Sequence, residues 1–202
     1  MRGLFILALS LLSLNTFAAG SKIDIPKYDW SWKGFFGTYD RASAQRGLKV
    51  YREVCAGCHS MDLIAYRNLA DLGFSEAHIK AIAAEYLIPD GPNDEGEMFE
   101  REAIPSDRFA NPYPNVQAAR AANNGAYPPD LSLIVKARPK GADYLKALLL
   151  GYVEAPADKE VPDGKYYNKY MDGNLIAMPS PLSEGIVDYD DGTEATMDQM
   201  AT

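Results

Sequence analysis

The chain has 202 residues but only two cysteines, two histidines and two tryptophans. So few thiols exclude a scaffold stapled by several disulfides. Two cysteines beside two histidines also make a minimal, oddly spaced donor set for zinc. Basic residues are in the minority: 20 Lys and Arg stand against 28 Asp and Glu, a formal net charge of −8, which argues against a nucleic-acid partner. There is no internal repeat and no low-complexity segment. The apolar run Leu4 to Leu14 is too short for a typical membrane span. It follows Met1-Arg2 and precedes the small residues of Thr16-Phe17-Ala18-Ala19, so residues 1–19 read as a secretory signal peptide, with a single uncleaved anchor as the alternative. Residues 20–202 are then one moderate domain in a 47% hydrophobic chain, with enough apolar material for a core.

What the chain does contain is the run Cys55-Ala56-Gly57-Cys58-His59. Two thiols three residues apart, followed at once by an imidazole, suit one task. One turn presents both sulfurs to the vinyl groups of a haem, and His59 reaches the iron from the proximal side. Export agrees with this, since covalent haem attachment takes place in bacteria outside the inner membrane. The same compartment permits a Cys55–Cys58 disulfide, which is the plainer reading. A thioredoxin-like redox pair would need a βαβ setting, and no strong strand pattern precedes Cys55.

The surrounding pattern is helices joined by long loops, as suits a chain wrapped around a flat cofactor. An aromatic stretch, Tyr28 to Tyr39, lacks periodicity and reads as an irregular wrap over the core. Asp40 caps a helix that delivers the chain into Cys55. Ala44, Leu48, Tyr51 and Val54 share its inner face, together with Gly47. Glycine there costs about 1 kcal/mol relative to alanine, which a close helix–helix crossing would justify. Further helices are expected from Ser75 to Tyr86, from Asn115 to Asn123 with an Asn124-Gly125 stop, and from Asp143 to Leu150 ending at Gly151. Residues 89–114 and 153–192 read as long loops, and the prolines hold Tyr127-Pro128-Pro129-Asp130 extended.

A haem held by His59 alone would leave an open iron face, the arrangement of a sensor or a peroxidase-like enzyme. A second protein ligand would make an electron carrier. His78 reads as a surface histidine, Met61 lies too close to His59, Met98 sits in an acidic loop, and Met197 and Met200 fall in a terminal helix. Met178, in Ile176-Ala177-Met178-Pro179-Ser180-Pro181, is stiffened by proline and is the leading candidate, with Met171 in reserve. Core packing is the alternative for so flexible a side chain. Haem propionates would call for cations, and Arg120, Lys136 and Arg138 are the candidates.

At this point the residues match a family. Tyr51 to Met61, Asp90-Gly91-Pro92-Asn93-Asp94-Glu95-Gly96-Glu97-Met98-Phe99, Ala118 to Ala126, Pro128-Pro129-Asp130-Leu131-Ser132 and Asp190-Asp191-Gly192-Thr193 resemble, in order, segments of cytochrome c1, the c-type haem subunit of the cytochrome bc1 complex. The resemblance runs from about residue 23 to the end. It implies an all-α fold, a cytochrome c-like haem domain with long inserted loops, and one haem c, bound covalently through Cys55 and Cys58. It further implies His59 as proximal and Met178 as distal ligand. Asn123, Pro128, Pro129 and Leu131 match the family's haem-pocket wall, and Arg138 and Tyr144 its positions near a propionate and the methionine loop. The implied role is to take electrons from the Rieske iron–sulfur protein and pass them to a soluble basic cytochrome c. Cytochrome b would be a further partner, and the location the periplasmic face of the bacterial inner membrane. The family continues into a C-terminal helix and a membrane anchor. Thr193 to Met200 reads as the beginning of that helix, and the anchor is absent from this sequence.

Overall fold

The computed structural model describes residues 23–202. The expected signal peptide and its anchor alternative lie outside the described residues. Helix α1 spans Arg41–Val50, and Asp40 caps it as the sequence predicts: its carboxylate accepts from the backbone N–H of Ala42 at 2.9 Å and of Ser43 at 3.2 Å. The chain does not leave α1 as a continuing α-helix. Residues Tyr51–Cys55 form a π-turn, closed by Ala56 N–H donating to the Tyr51 carbonyl at 2.7 Å. Such a turn takes in one extra residue, so the side chains after it are rotated by about 100° from a plain α-helical course.

Helix α1 and the turn after it lie between two cores rather than against one. Leu48 and Tyr51 pack on a cluster built from Tyr66, Leu69, Ile79, Ala83, Ala103 and Phe109. Val50, Val54 and Cys55 belong to a second, with Leu182, Val187, Tyr189, Ala195 and Met200. The single inner face expected for Ala44, Leu48, Tyr51 and Val54 is therefore split. Gly47 lies in the remaining, solvent-facing sector. It is exposed, and a Cβ built on it meets nothing within 4 Å, so no helix crosses there among the described residues.

Helix α2, Glu76–Ala84, is capped by Ser75, whose hydroxyl accepts from His78 N–H at 3.3 Å, and it buries Ile79 and Ala83. A 3₁₀ segment, Tyr66–Leu72, packs beside it and supplies Tyr66 and Leu69 to the same core. The all-α expectation needs correction in the segment read as loop. Leu87–Asp90 (β1) pairs antiparallel with Phe99–Glu102 (β2). Pro89 in β1 and the charges of β2 hide the strand pattern, and a two-stranded hairpin tolerates both because its edges stay free. Ion pairs from Arg101 to Asp90 and Asp107 tie the hairpin to the loop behind it.

Beyond it come α3 (Val116–Ala122, capped by Asn115), the short α4 (Ile134–Ala137) and α5 (Ala142–Leu150). Asn124 and Gly125 take left-handed conformations after α3, as their sequence suggests. A second small hairpin, β3 (Tyr166–Tyr167) and β4 (Leu175–Ile176), follows α5, and α6 (Met197–Met200) closes the described chain. The regular structure is thus mostly helical, with two two-stranded sheets.

Helix α5 anchors both ends of the described chain. Asp143 accepts from Trp30 Nε1 at 2.6 Å and from Tyr28 N–H at 3.2 Å, and pairs with Lys33 at 3.1 Å. Burial pushes the Asp143 carboxyl up, but these donors outweigh it and hold it below the ordinary range. Lys146, only 7% exposed, donates to Thr202 Oγ1 at 2.7 Å, pairs with Asp198 of α6 at 3.0 Å, and lies over the Tyr28 ring. The aromatic stretch is irregular as expected. Trp30 is buried and stacks on Trp32, while Phe35 and Phe36 stand in solvent. Among the described residues no helix is long and apolar enough to cross a membrane.

Candidate functional site

The π-turn brings Cys55 into the second core, while Cys58, three residues on, is exposed; both thiols are free. Burial, with Cys58 nearby, pushes the Cys55 thiol up to about 11, so it stays protonated near neutrality. Backbone N–H groups of Cys58 and His59 both donate to the Cys55 carbonyl, at 3.1 and 2.9 Å, which closes the turn and sets His59 directly beneath it. The Tyr51 hydroxyl donates to the His59 carbonyl at 3.1 Å.

His59 has a defined tautomer. Its Nδ1 lies 2.8 Å from the Pro129 carbonyl oxygen. A carbonyl can only accept, so Nδ1 carries the proton and Nε2 keeps its lone pair for a metal. Pro129 is held there because two non-helical segments, residues 60–63 and 129–132, are bonded to each other. Leu131 N–H donates to the Ser60 carbonyl at 2.8 Å, and Leu63 N–H to Ser132 Oγ at 3.0 Å. Between them the Asp130 carboxylate accepts from Ser60 Oγ at 2.8 Å, Asp62 N–H at 2.7 Å and Ser132 N–H at 2.9 Å. Burial raises the Asp130 carboxyl, but these hydrogen bonds outweigh it and the net shift is downward.

The other expected wall residues divide. Asn123 donates to the Ala119 carbonyl at 2.7 Å and to the Tyr113 hydroxyl at 3.1 Å, and Tyr113 in turn donates to Cys58 Sγ at 3.9 Å. Pro128 lines a cleft with Cys58, Tyr113 and Ala119, so Asn123 and Pro128 sit on the Cys58 side. Leu131 is half-buried. Arg138 is exposed and makes no ion pair among the described residues, donating only to the Ala137 carbonyl at 3.3 Å. It is close enough to Tyr144 to draw that hydroxyl down, although burial dominates and the net shift is upward. Arg120 is committed elsewhere, to the Gly125 carbonyl at 2.7 Å and the face of Tyr127.

Met178 is half-buried just after β4. Asn168, with no exposed surface, donates to the Leu148 carbonyl at the end of α5 at 2.7 Å and accepts from Tyr170 N–H at 3.0 Å. This seats the β3–β4 hairpin on α5. The Tyr152 hydroxyl donates to the Met178 carbonyl at 3.0 Å. Leu149 of α5 packs on the core that holds Cys55, so one helix links the thiol turn to the methionine segment. The reserve candidate Met171 accepts from the Tyr144 hydroxyl at 3.7 Å, which occupies its sulfur. Met200 is buried in the second core, Met61 packs against the first, Met98 is exposed, and His78 is exposed on α2.

Free thiols at this spacing, an imidazole with one nitrogen committed and the other available, and a held methionine fit a c-type haem. Among the described residues no group of three His, Cys, Asp or Glu stands ready to hold a metal ion. Sequence reasoning passed over Tyr113, Asp130, Tyr152 and Asn168. Asp130 lay inside a quoted segment without a role. The other three carry no local signal, because their partners lie 10 to 55 positions away or are hidden in backbone atoms.

A family model described as the Cytochrome C1 family matches residues 30–202. A mitochondrial protein of Solanum tuberosum named "Cytochrome c1-2, heme protein" is 50% identical over 194 residues, covering 94% of this chain and 75% of that one. "Cytochrome c1" of Rhodospirillum rubrum is 48% identical, covering 89% and 72%. The "Cytochrome b-c1 complex catalytic subunit, mitochondrial" of Candida albicans is 51% identical, covering 91% and 64%.

Proposed function

The chain belongs to the cytochrome c1 family, and from that premise we propose that it is an electron-carrying haem subunit of a cytochrome bc1 complex, not an enzyme on its own. Bound here, a haem supplies one-electron redox chemistry at its iron. The chain's own work is to hold, orient and shield. We assign Cys55 and Cys58 as the thioether attachment points, His59 Nε2 as the proximal ligand and the Met178 thioether as the distal one. The single observation that carries this is the committed Nδ1 of His59, 2.8 Å from the Pro129 carbonyl, directly after two free thiols.

The remaining assignments follow the same reading. Asn123, Pro128, Pro129 and Leu131 form the pocket wall, and Arg138, unpaired by any described carboxylate, is free for a propionate, with Tyr144 beside it. The architecture is a cytochrome c-like domain with long insertions, which carry the β1–β2 and β3–β4 hairpins. Electrons arrive from a Rieske iron–sulfur protein and leave to a soluble basic cytochrome c. The setting is the periplasmic face of a bacterial membrane, beside cytochrome b.

The test is expression in a host with haem-attachment machinery, followed by a haem stain of a denaturing, reducing gel. The stain is expected to travel with the protein and to vanish in Cys55→Ala/Cys58→Ala. A blank lane for the unmutated protein overturns the reading. Reduced protein is expected to exclude carbon monoxide; ready binding would point to an open-faced sensor or peroxidase-like site.

A further inference from the structure

Among the described residues the Asp130 carboxylate makes three bonds around the proximal histidine, two to the segment that follows His59 and one within its own, with Ser132 Oγ adding a further bond across from Leu63 N–H. Its Oδ2 accepts from Ser60 Oγ and Asp62 N–H, on the segment leaving His59. Its Oδ1 accepts from Ser132 N–H, on the segment that carries Pro129. Pro129 is the residue before Asp130, and His59 the residue before Ser60, so the carboxylate's anchors directly follow the His59–Pro129 contact on both segments. Proline removes a backbone N–H on each of two successive residues, Pro128 and Pro129, so the carbonyl-bearing pair has no amide of its own with which to hold itself and depends on residues 130–132. Charge-assisted bonds of 2.7 to 2.9 Å are the strong kind.

We propose that Asp130 is a positioning residue for the proximal ligand: its carboxylate clamps residues 60–62 to residues 129–132, and thereby keeps the Pro129 carbonyl on His59 Nδ1. This rests on the haem reading of His59. A ligating imidazole that donates its other N–H to a fixed acceptor is oriented by it and made a stronger donor to iron. Loosening the clamp frees the ring proton to solvent and weakens that donation, which disfavours the ferric state and raises the reduction potential.

Two variants separate geometry from charge. Asp130→Asn keeps the volume, but turns one acceptor into a donor that faces N–H and O–H groups. Ser60→Ala removes one anchor and leaves the Asp130 charge in place. The measurements are solvent exchange of the His59 ring N–H, by proton NMR of ferric holoprotein labelled with ¹⁵N-histidine, and the midpoint potential of the same samples. His78, the other histidine, is exposed and serves as the unprotected reference. Ring-proton exchange is expected to quicken by about tenfold or more in Asp130→Asn, and to a lesser degree in Ser60→Ala. The potential should rise in both, while amide exchange in α2 stays as in the parent. Unaltered ring exchange in both variants overturns the clamp, as does a potential that rises only where the charge is lost. If Asp130→Asn does not accumulate, Ser60→Ala decides alone. Should the unmutated protein hold no haem, it is the functional reading that fails, a result distinct from any of these.

Discussion

At the scale of single residues, two glycines carry opposite expectations that their local sequences do not reveal. Gly47 sits mid-helix in open space, so Gly47→Ala should stabilise the protein by roughly 0.5–1 kcal/mol, through helix propensity and a less free unfolded chain. Gly151 is buried, and a Cβ there would lie 2.6 Å from Asn168 Oδ1 and 2.7 Å from the Tyr170 ring. Gly151→Ala should destabilise by about 1–3 kcal/mol, as overpacking does, and would push the hairpin off α5. Denaturant unfolding of the two variants checks both signs. Met178→Leu tests the distal assignment: the potential should fall steeply and the reduced iron should bind carbon monoxide. A native potential with carbon monoxide still excluded would return the assignment to another residue.

At the scale of elements, the segment that covers the second core is held to α1 by charge as well as by apolar contact. Arg46 bonds Asp191 at 2.8 Å, and Asp191 also accepts from Thr193 N–H at 3.0 Å. Bonding from Thr193, backbone and hydroxyl, and then from Arg46 lowers the Asp191 pKa from 3.8 to about 2. Between those two values the unfolded chain binds more protons than the folded one. Stability from this group is therefore complete above about pH 4 and is lost as pH falls toward 2. Asp191→Asn should flatten that part of the acid-unfolding curve and leave the neutral region with the same pH slope; a parallel curve through pH 2–4 would refute the linkage. The π-turn belongs to this scale too. Tyr51 packs on the first core and Cys55, at the far end of the turn, on the second.

At the scale of the whole molecule, the formal charge of −8 includes exposed acids at Asp94, Glu95, Glu97 and Glu100 in the β1–β2 connection and β2, and at Glu184, Asp188, Asp190, Asp191 and Glu194 around the second core. If a basic cytochrome c is the acceptor, the bimolecular electron-transfer rate should fall as salt rises, because the Debye length shrinks from about 10 Å at 0.1 M to about 3 Å at 1 M. A rate indifferent to salt would remove the acidic clusters from the encounter. The haem motif, the caps at Asp40, Ser75 and Asn115 and the stop at Asn124-Gly125 were legible in the sequence, since each depends on neighbours within a few positions. The β1–β2 hairpin, the split face of α1 and the solvent position of Gly47 were not, since each depends on what lies across from it.

The order of the residues by itself determined that two sulfurs and an imidazole share one turn, where helices begin and stop, and that the molecule is acidic. Those are covalent and short-range properties, set by spacing, side-chain chemistry and φ/ψ preference. Only the tertiary structure decided which nitrogen of His59 is free, that Asp130 ties two segments around it, and that Asn168 seats the Met178 segment on α5. These depend on backbone carbonyls and amides brought together from 20 to 70 positions away. Every residue but proline carries both groups, so no residue type announces which of them will meet.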